Sequence, residues 1–158
     1  MLPGQESVWG YPRPPRAEIC PRHLRIEHAG KLLAETRASV RTLETSHPPT
    51  YYIPPNDIDF ALLRRSNQRG SFCEWKGEAI YFDVTIGNDV FADAAWSYPD
   101  PTVQFIILRD HIAFYASPFD HCTIDGEQVT PQPGGFYGGW ITRDLAGPFK
   151  GIPGSRFW

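Results

Sequence analysis

Residues 131–158, PQPGGFYGGWITRDLAGPFKGIPGSRFW, set Phe136, Tyr137, Trp140, Phe149, Phe157 and Trp158 on a frame of glycine and proline. Terminal segments that fray are small and polar, and this one is neither. Paired glycines on either side of Phe136-Tyr137 let the backbone bend and approach another surface closely. Gly147-Pro148 and Pro153-Gly154 make successive tight turns, with Phe149 and Ile152 as anchors. Docking such a segment buries a few hundred Å², worth several kcal/mol at ~25 cal/mol per Å² before ordering entropy is subtracted. The expectation is a segment packed on the body of the fold that helps to wall an aromatic pocket.

The same pattern runs through the chain, which holds 14 glycines and 16 prolines in 158 residues. That is below the roughly 25–30% typical of disorder, and here the two alternate with aromatics that disordered chains lack. A chain of 158 residues fits one domain, which at that size buries about 70% of its unfolded surface. The expected product is a single compact, turn-rich domain over 1–158.

Local signals are those of strands. Residues 1–21 read as an extended proline-rich arm. Leu24–Glu27 and Leu32–Thr36 flank a turn at His28-Ala29-Gly30, and Ser39–Thr45 alternates in the manner of a strand. The prolines of SHPPTYYIPP forbid helix and favour an extended path. Asn56 reads as an N-cap, with Asp57 and Asp59 in the first turn of one short helix near 56–65. Two strands flank Gly87-Asn88-Asp89, two more flank Arg109-Asp110, and Asp125-Gly126 is a strong hairpin signal. The fold class expected is mainly β, with short antiparallel strands.

Charge and cysteine content bound the partners. A net charge of −3 argues against nucleic acid, which needs a basic face. Arg13, Arg16, Arg22 and Arg25 are diluted by Glu6, Glu18 and Glu27. No apolar run approaches the ~20 residues of a membrane span, and MLPGQESVWGYPRPP lacks the layout of a signal peptide. Cys20, Cys73 and Cys122 form no disulfide framework, which points to a reducing cytoplasm.

The stretches ETSHPPTYYIPPNDID, CEWKGEAIYFDV, AAWSYPDP, CTIDGEQV, GGFYGGWIT and GPFKGIPG resemble, in the same order, the family known as domain of unknown function 427. The resemblance spans about residues 9–158. It implies a small tent-type (Mss4-like) β fold, shared with methionine sulfoxide reductase B and the ligand-binding domain of cereblon. A nucleotidyltransferase label attached to the family can be tested on residues. That chemistry generally uses carboxylates holding two magnesium ions. The chain has one Asp-x-Asp, Asp57-Ile58-Asp59, at a helix start where the dipole already explains it. Gly70-Ser71 follows that pair rather than preceding it, and no phosphate-cradling loop is present. The paired CxxC zinc knuckles of tent-fold relatives are absent too, so no resident metal and no cofactor are expected. His121-Cys122, Cys73 and His47 could converge, although nothing in their spacing demands it.

The aromatics carry the functional reading. Tyr52, Trp75, Tyr81, Trp96, Tyr98, Tyr137 and Trp140 stand near glycines or prolines in separate stretches, and rings that gather in a concave site stack on flat or cationic ligands. Lys76, Glu44, Ser46, Tyr51 and Asp125 with Glu127 are polar groups able to orient a ligand. The expected partner is a small molecule in an aromatic-lined pocket. Two alternatives stay open. One is an enzyme, a nucleotidyltransferase by family label or one using Glu44 and His47 for acid–base work or Cys73 as a thiol. On a strand Cys73 and Trp75 share a face, with Glu74 and Lys76 on the other. The second is a protein-interaction domain presenting an exposed aromatic patch.

Overall fold

The computed structural model describes residues 4–67 and 70–158, so the first three residues of the N-terminal arm lie outside the described residues. The chain enters its first long strand at Arg16–Cys20 (β1). Leu24–His28 (β2) and Lys31–Thr36 (β3) form a hairpin through Ala29 and Gly30, whose φ values of 50° and 76° suit the twist of paired strands. Ser39–Leu43 (β4) and Thr50–Ile53 (β5) follow, then Leu63–Arg65 (β6) and Ser71–Cys73 (β7). Gly77–Ile86 (β8) and Asp89–Ser97 (β9) turn at Gly87-Asn88. Ile112–Phe114 (β10) and His121–Ile124 (β11) complete the set, β11 closing on Glu127–Gln128 through Asp125-Gly126.

These strands make an eight-stranded sheet, in the order β1-β4-β5-β10-β9-β8-β6 with β7 paired to β8, and a four-stranded sheet of Glu127–Gln128, β11, β2 and β3. Pairing within both is antiparallel. The protein is mainly β and helix-poor, with several sheets and no closed barrel. No helix among the described residues is long and apolar enough to cross a membrane.

The large sheet is apolar on both faces. Tyr51, Ile53, Ala95, Ile112 and Phe114 pack with Leu24, Ile26, Cys122 and Ile124 of the small sheet. Alternate residues of the same strands, Tyr52, Trp96 and Ala113, with Tyr98 just beyond β9, join Val40, Phe105 and Leu108 in a second cluster. Period-two alternation sends neighbours to opposite faces, and here both faces are covered.

Three local expectations change. Helical geometry among the described residues is confined to 3-10 turns, and the helix expected near 56–65 is two of them, Pro55–Asp57 and Phe60–Leu62. Ile58 divides them because it is extended, bridges Ala34 and is buried. Asn56 therefore sits inside a turn, while Asp59 caps the second turn by accepting from the Ala61 N–H at 3.2 Å. Only one strand forms in VQFIILRDHIAFYAS. Val103–Leu108 is a 3-10 turn that buries Phe105 and Leu108 and leaves Val103, Ile106 and Ile107 exposed. That burial outweighs the β propensity of the stretch. In the expected arm, Arg16–Cys20 is an edge strand, and Val8 and Tyr11 are buried with Leu43 and Leu145.

The C-terminal stretch lies across the body. The Trp140 main-chain N–H donates to the Pro49 carbonyl at 2.9 Å, its indole N–H to the Phe114 carbonyl at 3.0 Å, and the Lys150 N–H to the Ser46 carbonyl at 2.8 Å. The Trp9 indole donates to the Pro148 carbonyl at 2.8 Å and meets the Trp158 ring at 5.1 Å. Gly151 has φ +117°, and a Cβ there would lie 1.8 Å from the Pro133 carbonyl oxygen, so only glycine fits. Of the two expected anchors, Phe149 packs on the Val8–Leu145 cluster, whereas Ile152 stays exposed, as do Phe136 and Phe157 of the same stretch.

Deleting residues 145–158 is expected to abolish cooperative thermal unfolding, and Gly151→Ala to cost more than 1 kcal/mol in chemical denaturation. A truncated chain that keeps the parent melting temperature would show that this segment contributes nothing to the fold.

Candidate ligand-binding cleft

The second cluster does not close over completely. The outer face of the large sheet forms the floor of a cleft of about 470 Å³, within the range of small-molecule sites. Tyr52 of β5, Trp96 of β9, Tyr81 of β8, and Tyr98 and Tyr115 just beyond β9 and β10 supply rings from the sheet. One wall is β7 and the turn after it, with Phe72, Cys73, Trp75 and Lys76. The opposite wall is Phe136, Tyr137, Gly138 and Lys150, and one end holds Glu44 and His47.

The cleft therefore brings together Glu44, His47, Tyr52, Cys73, Trp75, Lys76, Tyr81, Trp96, Tyr98 and Tyr137. Trp140 is the exception. It is 1% exposed, tilts against Tyr51 at 5.7 Å and belongs to the core between the sheets. Tyr51, adjacent to Tyr52, points to that same core. Ser46 is buried, its hydroxyl without a hydrogen-bond partner among the described residues, and it does not line the cleft; a φ of 71° turns the chain there. Asp125 binds Arg22 and the His23 N–H, and Glu127 accepts from the Arg143 N–H, both away from the cleft. The strand expected through residues 73–76 ends at Cys73. Turning after that residue brings Glu74 and Lys76 to the cleft along with Cys73 and Trp75.

The Trp96 indole N–H donates to the Tyr52 hydroxyl at 3.3 Å, and the two rings meet edge to face at 6.4 Å. The Trp96 ring also contacts Tyr115 at 4.8 Å. Burial raises the phenols of Tyr52 and Tyr98 above the ordinary tyrosine range, which keeps them neutral. A Cβ on Gly138 would lie 2.1 Å from Trp96 Cη2, so the glycine lets the opposite wall lie directly against the indole.

His47 is fixed by Gln132. The buried Gln132 carboxamide oxygen accepts from the Gly139 N–H at 3.1 Å, and its nitrogen reaches the Lys150 carbonyl at 3.0 Å and His47 Nδ1 at 3.1 Å. An amide nitrogen only donates, so Nδ1 accepts and the proton of neutral His47 sits on Nε2. That nitrogen is 3.6 Å from Glu44 Oε2, itself 3.4 Å from Arg13 Nη2. The His47 ring stands edge-on to Tyr137 at 4.7 Å. Burial foremost, with help from the charges of Lys150, Arg13 and Lys76 and against that of Glu44, lowers its pKa from 6.5 to about 4. His47 is a neutral hydrogen-bond donor at pH 7. Gln132 and Lys150 gave no signal in the sequence; each is a lone polar residue in a Gly/Pro stretch.

The thiols stay apart. Cys73 borders the cleft, while Cys122 is buried in the core on the other side of the large sheet, where burial pushes its thiol up to about 12. His121 pairs with Glu27 in the small sheet, so the convergence of His47, Cys73 and His121-Cys122 does not occur. No group of three or more metal-ligating side chains forms among the described residues. The Asp-x-Asp carboxylates are engaged elsewhere, Asp57 accepting from the Thr36 hydroxyl at 2.6 Å and Asp59 capping its turn.

The chain is thus a helix-poor β protein with an aromatic cleft on the outer face of its large sheet. It belongs to the family described as domain of unknown function DUF427, whose model matches residues 16–125. The stretches GGFYGGWIT and GPFKGIPG lie beyond the matched span. A search of curated proteins finds no match.

The depressed pKa of His47 sets a pH dependence. The unfolded chain binds a proton at His47 below about 6.5 and the folded chain only below about 4. Stability is therefore full above 6.5 and falls with pH through that window, by on the order of 3 kcal/mol. His47→Gln is expected to flatten this acid limb in urea midpoints measured from pH 7 to 4, and Lys150→Gln to raise the His47 pKa in NMR titration. An acid limb identical in His47→Gln would assign it to other groups.

Proposed function

We propose that the protein binds a small molecule in this cleft, which aromatic rings grip and the Glu44–His47 end orients. One observation carries the reading: rings distant in sequence line one concavity of ligand size instead of filling a solid core. Rings in such a site add about 0.5–2 kcal/mol each beyond area burial. The reading takes the chain as one unit over 1–158, of the tent type that the family resemblance implies. It also takes the protein as cytoplasmic, supported by three free cysteines.

A second reading, acid–base chemistry on the bound molecule, is favoured by the Gln132–His47–Glu44 chain. With Nε2 protonated, His47 donates and Glu44 is the acceptor.

A thermal-shift screen with nucleosides, small acids, amines and metals is the first test. Trp75→Ala is expected to erase any stabilising hit by at least tenfold in Kd while leaving the unliganded melting temperature within about 2 °C. Trp140→Ala, a core truncation, should instead cost about 3–5 kcal/mol of stability. Binding that survives Trp75→Ala and Trp96→Phe unchanged would place the ligand elsewhere. Turnover lost on Glu44→Gln with binding intact would favour the enzyme.

A further inference from the structure

The large sheet has a second surface of interest at its β1 edge. The lining of the cleft draws no residue from β1 or from the Val103–Leu108 turn. β1 stands at the end of the sheet, with β4 on one side and no strand on the other among the described residues. Main-chain groups along such an edge are a template for pairing with another strand. Prolines bound this one, Pro14 and Pro15 before Arg16 and Pro21 after Cys20. Proline donates no N–H to a ladder, so an added strand meets a short, well-delimited edge.

The two faces of β1 differ in kind. Ala17 packs on the cluster that holds Phe105 and Leu108, and Ile19 stands opposite Val40 of that cluster, so both lie on the outer face. The Val103–Leu108 turn lies against β1 here. Ile19 is nevertheless 72% exposed, and Val103, Ile106 and Ile107 of the turn are exposed as well. Arg16 and Glu18 lie on the opposite face with Cys20, which is buried in the core between the sheets. Glu18 accepts from Arg41 Nε at 2.8 Å and Nη2 at 2.7 Å, and its Oε2 is 3.6 Å from Arg16 Nη2.

The order Arg16-Ala17-Glu18 is complementary to itself read backwards. Directly opposed side chains share a face, so the twofold axis of an antiparallel pair of β1 strands falls on a residue. Centred on Ala17, it sets Arg16 against Glu18 of the second copy, Glu18 against Arg16, and Ile19 against Pro15. Centred on Arg16 or Glu18, it opposes like charges, which destabilises a pair. Centred on Ile19, it sets Glu18 against Cys20 and leaves both charges unmatched. A twofold operation uses this edge once in each copy and therefore closes as a dimer instead of growing.

We propose that two copies of this chain associate through the outer edge of β1, antiparallel about Ala17. Arg16 of each copy faces Glu18 of the other on one side of the joined sheet. Ile19 and the exposed side of the Val103–Leu108 turn lie at the seam on the other side. Strands this short make a small interface, so the dimer is weak, with a Kd on the order of 10 µM or above. The charges fix the register, and the aliphatic side chains and main-chain pairing supply the attraction.

The test is sedimentation velocity on the full-length protein from about 5 to about 500 µM, a range that brackets such a Kd. Wild type is expected to pass from monomer to dimer as concentration rises. Ile19→Lys should weaken association by about tenfold or more and leave the melting temperature of the monomer unchanged, since its side chain is exposed. Arg16→Glu and Glu18→Arg each oppose like charges across the seam, so each alone should remain monomeric. Mixed, the two variants should recover a heterodimer, because every opposed pair is again of opposite charge. Should Glu18→Arg fail to fold by circular dichroism, Ile19→Lys and Arg16→Glu decide. A wild-type chain that stays monomeric at the highest concentration would overturn the proposal. So would a dimer indifferent to Ile19→Lys and Arg16→Glu, or folded charge variants that fail to recombine.

Discussion

Tyr51 and Tyr52 are neighbours in β5 and are both buried, so they must be buried in different places. Successive side chains of a strand point to opposite faces, and the large sheet carries that requirement across β5, β10 and β9. Ile112 and Ala113, like Ala95 and Trp96, split in the same way. One face finds its cover in the small sheet. The other has only the Val103–Leu108 turn, the turn after β7 and the C-terminal stretch to cover it. Three separate pieces close such a face incompletely, and the gap between them is the cleft.

The wall opposite β7 depends on one side chain. Gln132 ties Gly139, Lys150 and His47 together with all three hydrogen bonds formed inside the protein. Buried polar groups are costly unless paired, and a fully satisfied group of this kind fixes one arrangement over its alternatives. The same amide sets the tautomer of His47 and so decides that the cleft presents an N–H at that end. Position and chemistry of the end of the cleft thus share a single cause.

Much of this was legible before any coordinates. The hairpins at Ala29-Gly30, Gly87-Asn88 and Asp125-Gly126 form where turn chemistry placed them, because positive φ is a local demand that Gly30, Gly87, Asp125 and Gly126 meet locally. The mainly β class followed from the same punctuation. The short helix and the strand expected at 103–108 were misread in detail, since Ile58 pairs with Ala34 and Phe105 and Leu108 reach a distant core. Propensity yields where long-range burial is at stake.

Residue chemistry also nominated most rings of the cleft, though not Phe72 or Tyr115, along with Glu44, His47, Cys73 and Lys76. It could not separate Trp140 from Trp75, because an indole in a glycine-flanked stretch looks the same whether it faces a core or a cavity. Nor could it reveal Gln132, Lys150 or the turn that brings Lys76 round to Trp75. The sequence by itself determined strands, turns and a surplus of aromatic surface, since these depend on residues within a few positions of one another. Only the tertiary structure decided which face each ring joined, which thiols were kept apart and which polar side chains border the cleft. Those outcomes depend on contacts between segments up to 139 residues apart, and no local pattern carries them.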